Sequence, residues 1–267
     1  MHFLALLDRG VVVTKIVACM SGKGGVGKTT IVANLGIALA RTGKKVVAID
    51  TNVTTPNLGL HLGIPFYPIT LHDVLKGSAK ISQATYEHES GLKVIPAGLS
   101  LRDLSGADPR NLPNVLLELL GDADVILLDV AAGLGREALS AIEAADELIL
   151  ITNPEVTAVT DALKAAKLAQ QLGTNLKGVV INRFTGRKHE MKVDDVLSMI
   201  GNYNLLAVIP EDINVQKAIA NRTPVIQHSP RSTASKEIHW LASKIMDEDY
   251  NPYYKEPWYK RVFGFLR

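Results

Sequence analysis

Residues 22–30 read Gly22-Lys23-Gly24-Gly25-Val26-Gly27-Lys28-Thr29-Thr30, and this stretch decides the fold. Its first eight residues fit the pattern G-x-x-x-x-G-K-[ST]. A buried-strand pattern, Val11 to Met20, stands just before it, and a helical pattern, Lys28 to Arg41, just after. Glycines let backbone N–H groups turn inward around anionic oxygens. The helix N-terminus offers its dipole and free N–H groups to the same charge. In such a loop Lys28 reaches the β and γ phosphates and the Thr29 hydroxyl ligates Mg²⁺. Thr30 sits where it can bond the α phosphate. The expected ligands are therefore ATP and Mg²⁺.

Strand and helix patterns alternate outward from the loop. Further strands are expected at Lys45–Asp50, Leu92–Pro96, Ala123–Asp129, Glu147–Thr152, Leu176–Ile181 and Asn204–Ile209. Helices are expected at Thr70–Leu75, Pro109–Leu120, Arg136–Ala144, Thr157–Leu172, Val193–Ile200, Asp212–Ala220 and Ser232–Met246, with Thr51–Gly63 as a loop. Strands joined through helices imply βαβ units. The fold class is α/β: a three-layer αβα arrangement with a mainly parallel twisted sheet.

Hydrophobic content is 47% and aromatic content only 5%, a balance suited to a Val-, Ile-, Leu- and Ala-rich parallel sheet. The net charge of +2 is too small to argue for nucleic acid from composition. Cys19 is the single cysteine, so no disulfide can form within the chain, and a cytosolic location is expected. No apolar run approaches the ~18 residues needed to span a bilayer. The seven histidines are scattered without metal-ligand spacing and read as surface or loop residues. The organisation expected is an N-terminal extension and strand start over 1–14, an ATPase domain over 15–246, a linker over 247–256 and a tail over 257–267.

Two strands end in aspartate, Asp50 and Asp129. Ligands of open α/β sheets sit at the carboxyl ends of strands, so both carboxylates are expected to hold Mg²⁺ or its waters. Together with Lys23 inside the glycine loop, these motifs resemble the MinD/ParA ATPases with their deviant Walker A motif, over roughly residues 15–246. The resemblance implies that Lys23 crosses the interface of an ATP-sandwiched homodimer and stabilises the transferring phosphate. It also implies that Asp129 is the Walker B aspartate and Asp50 the switch I aspartate. The segments Asn182-Arg183 and Pro210-Glu211-Asp212 are similar to that family's adenine contacts.

Two departures stand out. Switch I of that family reads Asp-x-Asp, whereas this chain reads Asp50-Thr51-Asn52. Asparagine keeps the shape of the water-orienting residue and loses its charge, so slow hydrolysis is expected. Switch II lacks the family's proline, reading Asp129-Val130-Ala131-Ala132-Gly133.

The segment Pro257–Arg267 reads as a basic amphipathic helix. Trp258, Val262, Phe265 and Leu266 share one face, Phe263 adds a further aromatic, and Lys260, Arg261 and Arg267 lie away from the face's centre. Such a helix suits an interfacial anchor and resembles the membrane-targeting tail of the MinD branch; packing back on its own domain and docking to another protein are the other two readings of these aromatics. The implied function is an ATP-dependent dimerisation switch at the inner face of the cell membrane, acting with an unidentified regulatory or cargo protein. Two alternatives stay open: a ParA-like ATPase binding DNA through Arg183, Arg187, Lys188, Arg222 and Arg231, and an ATP-binding scaffold with little hydrolysis. An iron–sulfur role is set aside, because one cysteine supplies too few thiolates.

Overall fold

Parallel pairing dominates the computed structural model, which describes residues 13–64, 66–100, 103 and 105–247. One sheet holds β1 (Lys15–Met20), β2 (Val46–Asp50), β3 (Tyr86–Glu87), β4 (Lys93–Ile95), β5 (Val125–Asp129), β6 (Glu147–Thr152), β7 (Asn175–Phe184) and β8 (Leu205–Pro210), in the order β3-β4-β2-β5-β1-β6-β7-β8. Only β3 runs antiparallel, against β4.

Side chains of β1 alternate between two cores. Ile16, Ala18 and Met20 enter one, and Val17 and Cys19 the other. The Cys19 side is covered mainly by α1 (Lys28–Ala40), the short α2 (Leu58–His61), α8 (Ile213–Ala220), α9 (Val225–His228) and α10 (Thr233–Ile245). The opposite side carries α3 (Leu71–Leu75), α4 (Leu112–Leu117), α5 (Arg136–Glu143), α6 (Val156–Leu172) and α7 (Val193–Ile200). Residues Ile31 to Leu39 of α1 are all buried, as expected of a helix apolar on every face and enclosed by packing. In α6, Ala158, Ala162, Ala165, Ala166 and Ala169 are buried, and small residues let that helix approach the sheet closely.

The expected αβα layering is present, and β6 and α7 fall residue for residue where the sequence put them. Thr70 caps α3 through a reciprocal box with Asp73, which satisfies otherwise orphaned amides. Four expectations are corrected. The stretch Thr51–Gly63 is not all loop, since Leu58–His61 is helical. The stretch Pro109–Leu120 begins as a 3-10 turn over Pro109–Asn111, and its helix ends at Leu117. Among the described residues the first strand begins at Lys15, with residues 13 and 14 outside it, and β7 runs on through Asn182 and Arg183 to Phe184. The short elements β3 and α9 had no counterpart among the expected ones.

Asp247, expected to open a linker, is tied to the base of the sheet. Its carboxylate pairs with Lys15 at 3.1 Å and Lys177 at 2.9 Å. The amphipathic tail, including Trp258, Val262, Phe263, Phe265 and Leu266, lies outside the described residues, as do residues 1–12.

Candidate nucleotide site

Strand register brings the acidic groups together. Asp50 of β2 pairs in register with Asp129 of β5, and Cys19 of β1 pairs with Asp129 from the other side. The loop leaving β1 therefore arches over two strand-end carboxylates. Lys28, at the first position of α1, lies in this floor and pairs with Asp129, Nζ to Oδ1 at 2.5 Å, both side chains being buried. The second oxygen of Asp129 is buried without a hydrogen-bond partner.

The glycines have distinct physical reasons. A Cβ on Gly22 would stand 2.2 Å from the backbone of Asp161 in α6, so α6 can pack on the loop only if that Cβ is absent. Gly27 has φ +91°, and a Cβ there would meet the Asn182 amide at 2.3 Å. A Cβ added at Gly24 would meet nothing within 4 Å beyond its chain neighbours, which leaves its side of the cradle open for an anion. Asn182 Nδ2 donates to the Val26 carbonyl at 2.7 Å, tying β7 to the loop.

The cavity measures about 1560 Å³, ample for a nucleoside triphosphate given that small-molecule sites span ~300–1,000 Å³. Gly24 to Thr30 line it, together with Asn52, Asn182, Arg183, Pro210, Glu211 and Asp212. The glycine loop and the expected adenine segments thus share one space. Within it, Arg183 Nε donates to Glu211 at 2.6 Å from a backbone at φ 59°. That conformation costs a non-glycine residue energy. The Asp212 carboxylate is spent on the fold, accepting from the amides of Asn214 and Ala234.

Switch I differs from its expected form. Asp50 points neither oxygen freely into the cavity: Oδ1 accepts from the Asn52 amide, and Oδ2 from the amides of Asn57 and Leu58. Burial, and then the neighbouring charge of Asp129, push its pKa up to about 7. The Asn52 side chain is closed on its own turn, with Nδ2 donating to Thr55 O at 2.7 Å and Oδ1 accepting from Thr55 N at 3.2 Å. Thr54 Oγ1 donates to Glu137 Oε1 and bridges switch I to α5. In switch II, Gly133 at φ +89° donates to Ser21 O at 3.1 Å, so the loop is fastened to the end of β1 without a proline.

Lys23 does not enter the cavity. Its Nζ lies 3.5 Å from Thr157 Oγ1 and 3.7 Å from Glu155, at the start of α6, with the side chain 47% exposed. Cys19 is fully buried, and burial followed by the Asp129 charge pushes its thiol up to about 12, which makes it inert packing.

Several lining residues carried no sequence signal: His61, Arg110, Arg136 and Glu137. The expectation of surface or loop histidines is corrected for His61 in α2, which faces the cavity, and for His72 in α3, which is buried; the loop residue His88 is buried rather than exposed. Contacts made through the folded loops, rather than spacing, bring these residues in. No helix among the described residues is long and apolar enough to cross a membrane.

An open amide cradle at a helix N-terminus, a paired lysine and an unpartnered buried carboxylate oxygen fit a polyphosphate with a divalent cation. Fold and site together define a P-loop nucleotide-binding protein of the αβα class. A family model, the CobQ/CobB/MinD/ParA nucleotide binding domain, matches residues 17–225. The chain belongs to that family, on its MinD/ParA side, whose members are ATPases. It is 40% identical to an ATP-binding protein of Methanocaldococcus jannaschii over 251 residues, covering 94% of this chain and 95% of the relative. It is 32% identical to the septum site-determining protein MinD of Thermotoga maritima over 242 residues, 87% of this chain and 88% of that one. The solved structure of MinD from Pyrococcus horikoshii complexed with Mg-ADP superposes with a TM-score of 0.83 at 37% identity, covering 87% of this chain and 96% of that one.

Proposed function

We propose that this chain is a MinD-like ATPase in which Mg-ATP drives homodimerisation, and that the dimer holds to the inner face of the membrane while ADP releases it. One observation carries the reading: Lys23 stands outside the cavity its own loop encloses, on an exposed rim beside Glu155 and Thr157. A lysine so placed is available to a nucleotide bound by a second copy. Val156, between Glu155 and Thr157, is 61% accessible and supplies apolar surface for such a contact.

In this reading the amides of residues 24–30 and Lys28 bind the phosphates, and Asn182, Arg183 and the Pro210–Asp212 segment bound the adenine side. Thr29, Asp50 and Asp129 hold Mg²⁺ or its waters. The ion supplies charge neutralisation on the β and γ oxygens. Without a carboxylate at position 52, attacking water is held less strongly and turnover is slow. The tail of residues 257–267 then supplies one weak interfacial helix per subunit, and two tails on one dimer gain affinity through effective concentration. The DNA-binding alternative is less favoured, because Arg183 is paired with Glu211 and Arg222 lines a second cavity with Glu87 and Glu89.

Liposome sedimentation with anionic vesicles tests this. Pelleting is expected with Mg-ATP, and not with Mg-ADP or for a chain ended at Asp247. Equal pelleting of all three removes the switch.

A further inference from the structure

Switch I carries a second polar side chain that the reading above leaves unused. His61 closes α2, and its half-buried imidazole lines the cavity with the glycine loop, Ala131 and Glu137. The ring makes no hydrogen bond among the described residues, and the charges acting on it are those of Asp129 and Lys28, the pair beneath the phosphate cradle. Burial holds its pKa below the ordinary 6.5. At pH 7 the ring is therefore neutral and offers one N–H donor and one acceptor.

The platform beneath it is firm. Asp50 Oδ2 accepts the amides of Asn57 and Leu58, both at 2.9 Å, and fixes the start of α2. Leu58 and Leu62 are buried on either side of His61. A Cβ on Gly59 would stand 2.8 Å from the Tyr67 ring and 2.9 Å from Ile64 O, so only glycine lets the following loop fold against the helix. Asn52, the residue expected to face the reacting phosphate, has both ends of its amide engaged with Thr55.

We propose that His61 is the switch I side chain that reads the terminal phosphate, its imidazole donating a hydrogen bond to a γ-phosphate oxygen and so setting the preference for ATP over ADP. The proposal rests on the cavity being an ATP site. An imidazole in this position finds no γ-phosphate oxygen when ADP is bound and gains a charge-assisted hydrogen bond when ATP is bound.

Titration calorimetry of the full chain with Mg-ADP and with a non-hydrolysable Mg-ATP analogue tests it, on wild type, His61→Ala and His61→Gln. A hydrogen bond to a charged oxygen corresponds to about tenfold or more in affinity. His61→Ala should lose about that factor for the triphosphate while its ADP affinity stays as in wild type. His61→Gln, which keeps a donor of similar reach, should recover most of the loss. An unchanged ratio of triphosphate to diphosphate affinity in His61→Ala overturns the proposal. Equal loss of both ligands also overturns it, because that result marks a structural role in switch I. Wild type that binds neither ligand rejects the ATP site itself, a distinct outcome.

Discussion

Replacing Lys28 by methionine tests how the floor of the site is balanced. Lys28 and Asp129 form a buried pair at 2.5 Å, with side chains only 7% and 1% exposed, so solvent screening is slight. Asp50 stands in register beside Asp129 on the next strand, about 4.8 Å away along the sheet. Lys28→Met therefore leaves two adjacent buried carboxylates without their cation. Breaking a buried pair by removing one partner costs about 3–5 kcal/mol, and the upper half of that range is expected here. Asp129→Asn leaves Lys28 with Asp50 still nearby and relieves the repulsion on Asp50, so it should cost about 1–3 kcal/mol. Urea denaturation of the nucleotide-free protein at pH 7, followed by far-UV circular dichroism, reads both values. Equal stability of Lys28→Met and wild type, or a larger loss for Asp129→Asn than for Lys28→Met, would refute this account of the floor.

Other outcomes are as specific. His72 accepts the Gly98 amide at Nδ1 and bonds Val53 O through Nε2, and burial lowers its pKa below 6.5. The unfolded chain binds this proton more readily, so the buried neutral ring leaves folding unpenalised above pH 6.5 and stability is lost as pH falls below it. His72→Phe should cost about 1–3 kcal/mol at pH 7 and flatten the fall in stability between pH 7 and 5. A variant that keeps the wild-type slope excludes His72 as its source. Gly22→Ala, which collides with the α6 backbone, should lose about 1–3 kcal/mol of stability. Gly24→Ala, with open space around it, should keep its stability and lose Mg-ATP affinity; the reverse pattern, by calorimetry and thermal unfolding, contradicts the cradle. Asn52→Asp replaces the amide that donates to Thr55 O with a carboxylate that this carbonyl repels. Steady-state turnover should rise, and no increase defeats the slow-hydrolysis reading.

The sheet was legible because its strands are apolar runs bounded by turns, and because one glycine loop fixes which strand is central. Asp50 and Asp129 were legible as strand ends, but the sequence could not tell that Asp50 would bind three backbone amides. That role depends on α2, a helix of four residues too short to leave a periodic signal. His61 and Glu137 were invisible for a related reason: they sit on α2 and at the start of α5, and what turns those helices toward the cavity is tertiary contact such as Thr54 with Glu137 and Gly59 with Tyr67. Lys23 was legible as a lysine inside the glycine loop, but its contact with Glu155 at the start of α6 left no sequence signal.

The mass of the full chain in solution, by light scattering after size exclusion, bears most directly on the ATP-driven pairing of two copies. With a non-hydrolysable Mg-ATP analogue the mass should double relative to Mg-ADP, and Lys23→Ala should stay at the single-chain mass while still binding nucleotide. One mass in both nucleotide states, or doubling that survives Lys23→Ala undiminished, would contradict the account.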